Sequence, residues 1–136
     1  MSSITEEQAV DDMSKMFFDE WPHQVFWDDV RDQRDTSETP WASFVIRHAT
    51  GDQDTLGGRG ARSFLREGTI TVAIHTPTGN GLSESIALGT VARNIYEGNS
   101  SPNGVWFRKV RIQEVGRRGS FFQRNMLVDF QYYEVK

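Results

Sequence analysis

Between Thr69 and His75 the chain alternates without a break: Ile70, Val72 and Ile74 fall on one side, and Thr69, Thr71, Ala73 and His75 on the other. Period-two alternation of β-branched residues is the pattern of a strand with one face buried, because successive strand side chains point to opposite faces. The strand is predicted to begin at Ser63. It must stop at Thr76-Pro77-Thr78-Gly79-Asn80-Gly81, where proline offers the ladder no amide and glycine admits positive φ. From Leu82 to Glu97 the period turns helical, with Ile86, Leu88, Val91 and Ile95 as the expected apolar stripe. Gly98 stands where a C-terminal cap belongs. A strand handing over to an amphipathic helix is the unit on which the rest must pack.

The flanking segments supply what that unit needs. Thr5 and Gln8 have the spacing of a capping box, followed by an apolar stripe of Val10, Met13, Phe17 and Trp21 with Ala9 and Met16 beside it. Pro22 ends that helix. Gln24–Trp27 reads as a short strand. Trp41–His48 reads as a second, with Ala42, Phe44 and Ile46 inward and Trp41, Val45 and Arg47 on the other side. Ala49–Gly60 holds four glycines and no apolar period, so it is predicted to be a mobile loop joining the second and third strands. A fourth strand is expected over Val105–Val115 and a glycine turn over Gly116-Arg117-Arg118-Gly119. A last strand over Phe121–Val135 carries Phe122, Met126, Val128, Phe130 and Tyr132 on one face. The order is α-β-β-β-α-β-β over one domain, residues 1–136. That is an α+β fold, a mixed and mainly antiparallel sheet with an N-terminal helix and one crossover helix packed on it.

Chemistry is conspicuous by what is missing. The chain has no cysteine, which excludes disulfides, thiolate zinc sites and cysteine nucleophiles. The polar, acidic start Met1–Glu7 does not read as a signal peptide, and no apolar run approaches the ~20 residues that span a bilayer. Carboxylates at 28, 29, 32 and 35 lack the order and the glycine of a calcium loop. His48 and His75 are expected fairly close together across a hairpin, as ordinary sheet histidines. Gly81-Leu82-Ser83-Glu84-Ser85 lacks the final glycine of a nucleophile elbow, and Ser83 is better read as a helix cap. Gly79-Asn80-Gly81 precedes a helix whose Glu84 would repel a pyrophosphate. Gly57-Gly58-Arg59-Gly60 lacks the Lys-Ser/Thr ending of a P-loop. No catalytic residue, cofactor or metal is therefore expected.

The net charge of −4 is unevenly spread: residues 1–40 hold eleven acidic against three basic residues, and residues 41–136 eight against twelve. Either both parts are solvated surfaces, or the acidic end of one copy meets the basic body of another. On the second reading the candidate interface residues are Arg59, Arg62, Arg108, Arg111, Arg117 and Arg118 against Asp28, Asp29 and Asp32. Arg108, Lys109, Arg111, Arg117, Arg118 and Arg124, interleaved with Phe107, Phe121 and Phe122, also admit a small nucleic-acid-binding module. The acidic balance opposes that reading, and no specific nucleic-acid binding is expected.

Several stretches together resemble one family. They are Phe64-Leu65-Arg66-Glu67-Gly68-Thr69-Ile70-Thr71-Val72, the turn Thr76–Gly81, the helix ending Tyr96-Glu97-Gly98, Gly104-Val105-Trp106-Phe107-Arg108, Glu114-Val115-Gly116, Phe121-Phe122-Gln123 and the aromatic end Phe130–Tyr133. These look like the tail terminator proteins of long-tailed bacteriophages, from about residue 61 to the C-terminus and more loosely over residues 1–48. The resemblance implies a small α+β subunit that forms a homohexameric ring at the head-proximal end of the tail tube. There it would stop polymerisation of the tube protein and present a surface to the head-completion, or neck, proteins. It implies a place in the virion after assembly in the host cytoplasm, and no enzymatic activity. The nearest alternative is another neck or head–tail joining protein.

Overall fold

Thr5 opens the first helix. Its hydroxyl accepts from the Gln8 amide at 3.2 Å while the Gln8 side chain accepts from the Thr5 amide at 3.1 Å, the reciprocal box expected from the spacing. In the computed structural model, residues 4–27, 39–53 and 63–135 are described. The elements are α1 (Glu6–Glu20), β1 (Gln24–Trp27), β2 (Trp41–Gln53), β3 (Ser63–Pro77), α2 (Leu82–Tyr96), β4 (Trp106–Arg118) and β5 (Phe121–Val135), with a single 3-10 turn at Thr78–Asn80. This is an α+β fold in the order α-β-β-β-α-β-β.

The five strands lie in the order β1-β2-β3-β5-β4. β1 runs parallel to β2, and every other pair is antiparallel. β3 and β4 therefore run parallel with β5 inserted between them, and α2 makes the crossover that joins them. Period two decides the faces. Ala42 and Phe44 of β2, Ile70, Val72 and Ile74 of β3, and Met126, Val128, Phe130 and Tyr132 of β5 all turn to one side. There they meet Ala9, Met13 and Phe17 of α1 and Leu88, Ala92, Ile95 and Tyr96 of α2 in one core. Both helices cover that side. The Tyr96 hydroxyl donates to the Met13 carbonyl at 2.8 Å and ties α2 to α1 inside the core.

Four local expectations are corrected. Ile86 is 48% exposed and Val91 only half-buried. The buried stripe of α2 is Ser85, Leu88, Gly89, Ala92, Ile95 and Tyr96, because small residues let the helix lie close to the sheet. Ser83 lies inside α2 and caps nothing. The N-cap is Gly81, which has no side chain to give. β2 continues through a bulge between His48 and Thr50 to Gln53, so the first part of the Ala49–Gly60 loop is strand, and the rest lies outside the described residues. Gly116, Arg117 and Arg118 belong to β4. Gly116 has φ 95° and makes a bulge, and the turn proper is Gly119-Ser120. A bulge glycine and a turn glycine both need positive φ, so the two cannot be told apart by composition.

Candidate interface surfaces

Among the described residues no group of three or more His, Asp or Glu is placed to hold a metal ion. Among the described residues no helix is long and apolar enough to cross a membrane. Three areas of the described surface bring polar and apolar groups together on or beside the sheet; apart from them, Phe18 of α1 is exposed and a hollow between α1 and α2 is lined by Met16, Asp19, Val91 and Asn94 among others.

The first is the sheet face that carries no helix. At one end of it Trp41 stacks on His75 with ring centroids 3.8 Å apart, and Phe26 and Phe121 meet Trp41 edge-on. Trp41, expected on the side opposite Ala42, Phe44 and Ile46, is on that face but only 5% exposed, because aromatic neighbours from three strands enclose it. Further along, arginines of β4 pair with carboxylates of β5 and, across it, of β3. Arg108 reaches Glu67 at 3.4 Å and Arg111 reaches Asp129 at 3.3 Å. Trp106, half exposed, leans edge-on against Tyr133. β4 is an edge strand. Positive φ at Lys109 and Gly116 and a row of basic side chains are the means by which edge strands resist stray pairing.

The second area is a groove of about 520 Å³ between α1 and the β1–β2 side of the sheet. Trp27, Phe44 and Ile46 form its apolar floor, and Glu6, Glu7 and Asp11 of α1 form an acidic rim. His48 closes one end. Its Nε2 lies 2.9 Å from the Tyr132 hydroxyl and its Nδ1 3.5 Å from Glu6 Oε1. A tautomer protonated on Nδ1 serves both, accepting from Tyr132 and donating toward Glu6. Burial, then the carboxylates of Glu6 and Glu134, push the Tyr132 hydroxyl up to about 12, against a smaller opposing pull from Arg66. His48 and His75 do not approach each other. In the antiparallel register Trp41 sits opposite His75 and His48 opposite Gly68, so His75 lies at the open end of the hairpin and His48 midway along it, on the opposite face.

The third area lies at the other edge of the sheet, where the start of α2 meets the end of the β4–β5 hairpin. Leu82 and Ile86, one helical turn apart, are 53% and 48% exposed. A hollow of about 230 Å³ beside them is lined by Leu82, Ser85, Arg117, Phe122 and Arg124, among others. Arg124 is held by Glu114 at 2.9 Å. Arg117 and Arg118 are exposed, and neither has an ion pair among the described residues.

The expected interface residues thus part company. Arg108 and Arg111 share the helix-free face and are already ion-paired, Arg117 and Arg118 at the hairpin end have no ion pair among the described residues, with Arg117 donating to the Gly119 carbonyl at 3.3 Å, and Arg59, Arg62, Asp28, Asp29 and Asp32 lie outside the described residues. The acidic groove went unseen in the sequence because β1, β2 and α1 each contribute only part of it. The Leu82–Ile86 pair was missed as well, because Ile86 was assigned to the buried stripe of α2 that Ser85 and Gly89 in fact share.

No protein-family model matches the chain, and no curated protein matches it in sequence. A solved structure that carries no functional name is similar over 95% of this chain and 96% of its own, at 13% identity and a TM-score of 0.64. At that identity the likeness concerns the fold, which is therefore an arrangement that other chains also adopt.

Proposed function

We propose that this protein is a structural subunit of the tail terminator kind, assembling as a ring that caps the head-proximal end of a phage tail tube. The observation that carries the reading is where the family-like stretches fall. They lie on β3, on the turn after it, on the end of α2, on both ends of β4 and on β5, which together make one continuous half of the sheet with its crossover helix. An α+β subunit whose free surface is divided between acidic and basic edges supports a ring, since a head-to-tail ring needs two different patches on each copy. The pairing of Arg108, Arg111 and Arg124 with carboxylates speaks against a nucleic-acid surface, because charges already neutralised release few counterions from phosphate.

The test is a deletion. Particles made without the protein should carry tails of abnormal length that fail to join heads, and purified protein added to unterminated tails of normal length should restore joining. Native mass spectrometry of the purified protein, with electron microscopy of tail ends, should find a ring, of six by the resemblance. Deletion particles with normal, head-attached tails would overturn the reading.

A further inference from the structure

We infer that the exposed Leu82–Ile86 pair of one copy seats in the Trp27–Phe44–Ile46 groove of the next, with Arg117 and Arg118 facing Glu6, Glu7 and Asp11. This rests on the ring reading and names the contact that would build it. The two patches match in kind. One is a convex apolar pair on a helix with guanidinium groups beside it that hold no carboxylate among the described residues, and the other is a concave apolar floor with a carboxylate rim. They match in charge as well. Glu114 is taken up by Arg124, and the two guanidinium groups of Arg117 and Arg118 outweigh the one carboxylate of Glu84 beside Leu82, while among the described residues Glu6 of the acidic rim has His48 as its neighbour.

Their positions on the molecule matter most. The groove is built on β1 and β2, at one edge of the sheet, and the convex pair lies over β5 and β4, at the other. Patches on opposite edges cannot satisfy each other within a two-fold dimer without leaving one of each open. Repeated head to tail, each copy uses both, and the chain of contacts closes when the rotation per copy permits. An exposed leucine and isoleucine one turn apart are also the usual anchors of a helix laid in an apolar groove. Removing them from water leaves the fold unchanged, because neither belongs to the core.

Cross-linking tests this directly, since the chain has no cysteine of its own. Val10→Cys places a thiol in the groove on α1, and Ile86→Cys places one on the convex pair. Mild oxidation of the two single variants mixed together should give a dimer of one copy of each. Either variant alone should form no covalent dimer on a non-reducing gel, and a chain carrying both substitutions should give covalent multimers beyond the dimer. Adding Glu7→Lys and Asp11→Lys to the Val10→Cys chain should slow cross-linking at least tenfold. Adding Arg117→Glu and Arg118→Glu to its Ile86→Cys partner should restore it. Thermal melting of each variant reports separately on the fold. Self-linking of either single variant as fast as the mixed pair, or no mixed dimer in concentrated protein or in assembled particles, overturns the contact. Normal tails in the deletion particles would overturn the terminator reading while leaving a positive cross-link, and the ring interface it reports, in place.

Discussion

Two glycines show how differently one missing side chain can matter. Gly68 sits in β3 opposite His48 and Phe130, and a Cβ there would lie 2.6 Å from Phe130 Cζ and 2.9 Å from His48 Cα, besides meeting the Arg47 carbonyl. Backbone on one side and a core ring on the other leave nothing free to move. Gly68→Ala should therefore destabilise by about 2–3 kcal/mol in chemical denaturation, the range of overpacked core sites. Gly89, inside α2, would place its Cβ 3.6 Å from Arg124 Cδ, an ordinary contact. Gly89→Ala should stabilise by roughly 0.5–1 kcal/mol, the helix propensity that glycine forgoes. Tyr132 offers a pH readout at the same scale. A hydroxyl that titrates at about 12 in the fold and near 10 when unfolded keeps its proton more tightly in the native state. Stability from Tyr132 is thus intact below pH 10 and is lost as pH rises toward 12. Equilibrium unfolding of Tyr132→Phe against the natural chain should show a shallower alkaline decline in the variant.

At the scale of elements, legibility followed the strength of the period. Thr69–His75 and Met126–Tyr132 alternate over enough residues that one face had to be core, and the structure buries that face. The α1 box was legible because it needs only two residues at a fixed spacing. The stripe of α2 was misread because large side chains weigh more than small ones in a periodicity count, whereas close packing selects the small ones. Boundaries near glycine were misread for the reason already given, that bulges and turns ask for the same backbone. One bond between elements should be measurable. Tyr96→Phe removes the donor to the Met13 carbonyl in a buried site. A cost of about 1 kcal/mol, the net worth of a hydrogen bond, is expected in a thermal or urea melt, without loss of helix signal in circular dichroism.

For the whole molecule, sheet order was beyond the reach of pattern, since nothing local says that β5 enters between β3 and β4. The charge split was plain in the sequence, but its division into engaged and free groups needed the register that sets Arg108 opposite Asp129 and places Arg111 beside Leu127. That division yields a prediction for nucleic acid. At physiological salt the protein should show negligible affinity for duplex or single-stranded DNA in fluorescence anisotropy, because Arg66, Arg108, Arg111 and Arg124 are already paired with carboxylates and the acidic part opposes approach. A salt-dependent micromolar constant would contradict it.

The place of β5 also sets a clock on synthesis. A ribosome that has delivered Arg118 has made β4 with no strand to bond, because its sole neighbour in the sheet is the strand still to come. β3, for its part, has β2 on one edge and a bare ladder on the other, the kind of edge that recruits strangers. At about 5–20 residues per second, the fifteen residues of β5 take on the order of a second to follow. Until they do, the chain has neither a finished sheet nor a hairpin to show a neighbour. The patch at the end of the β4–β5 hairpin thus comes into being with the last strand, so if copies join as proposed above, a half-made chain has nothing of that patch to offer.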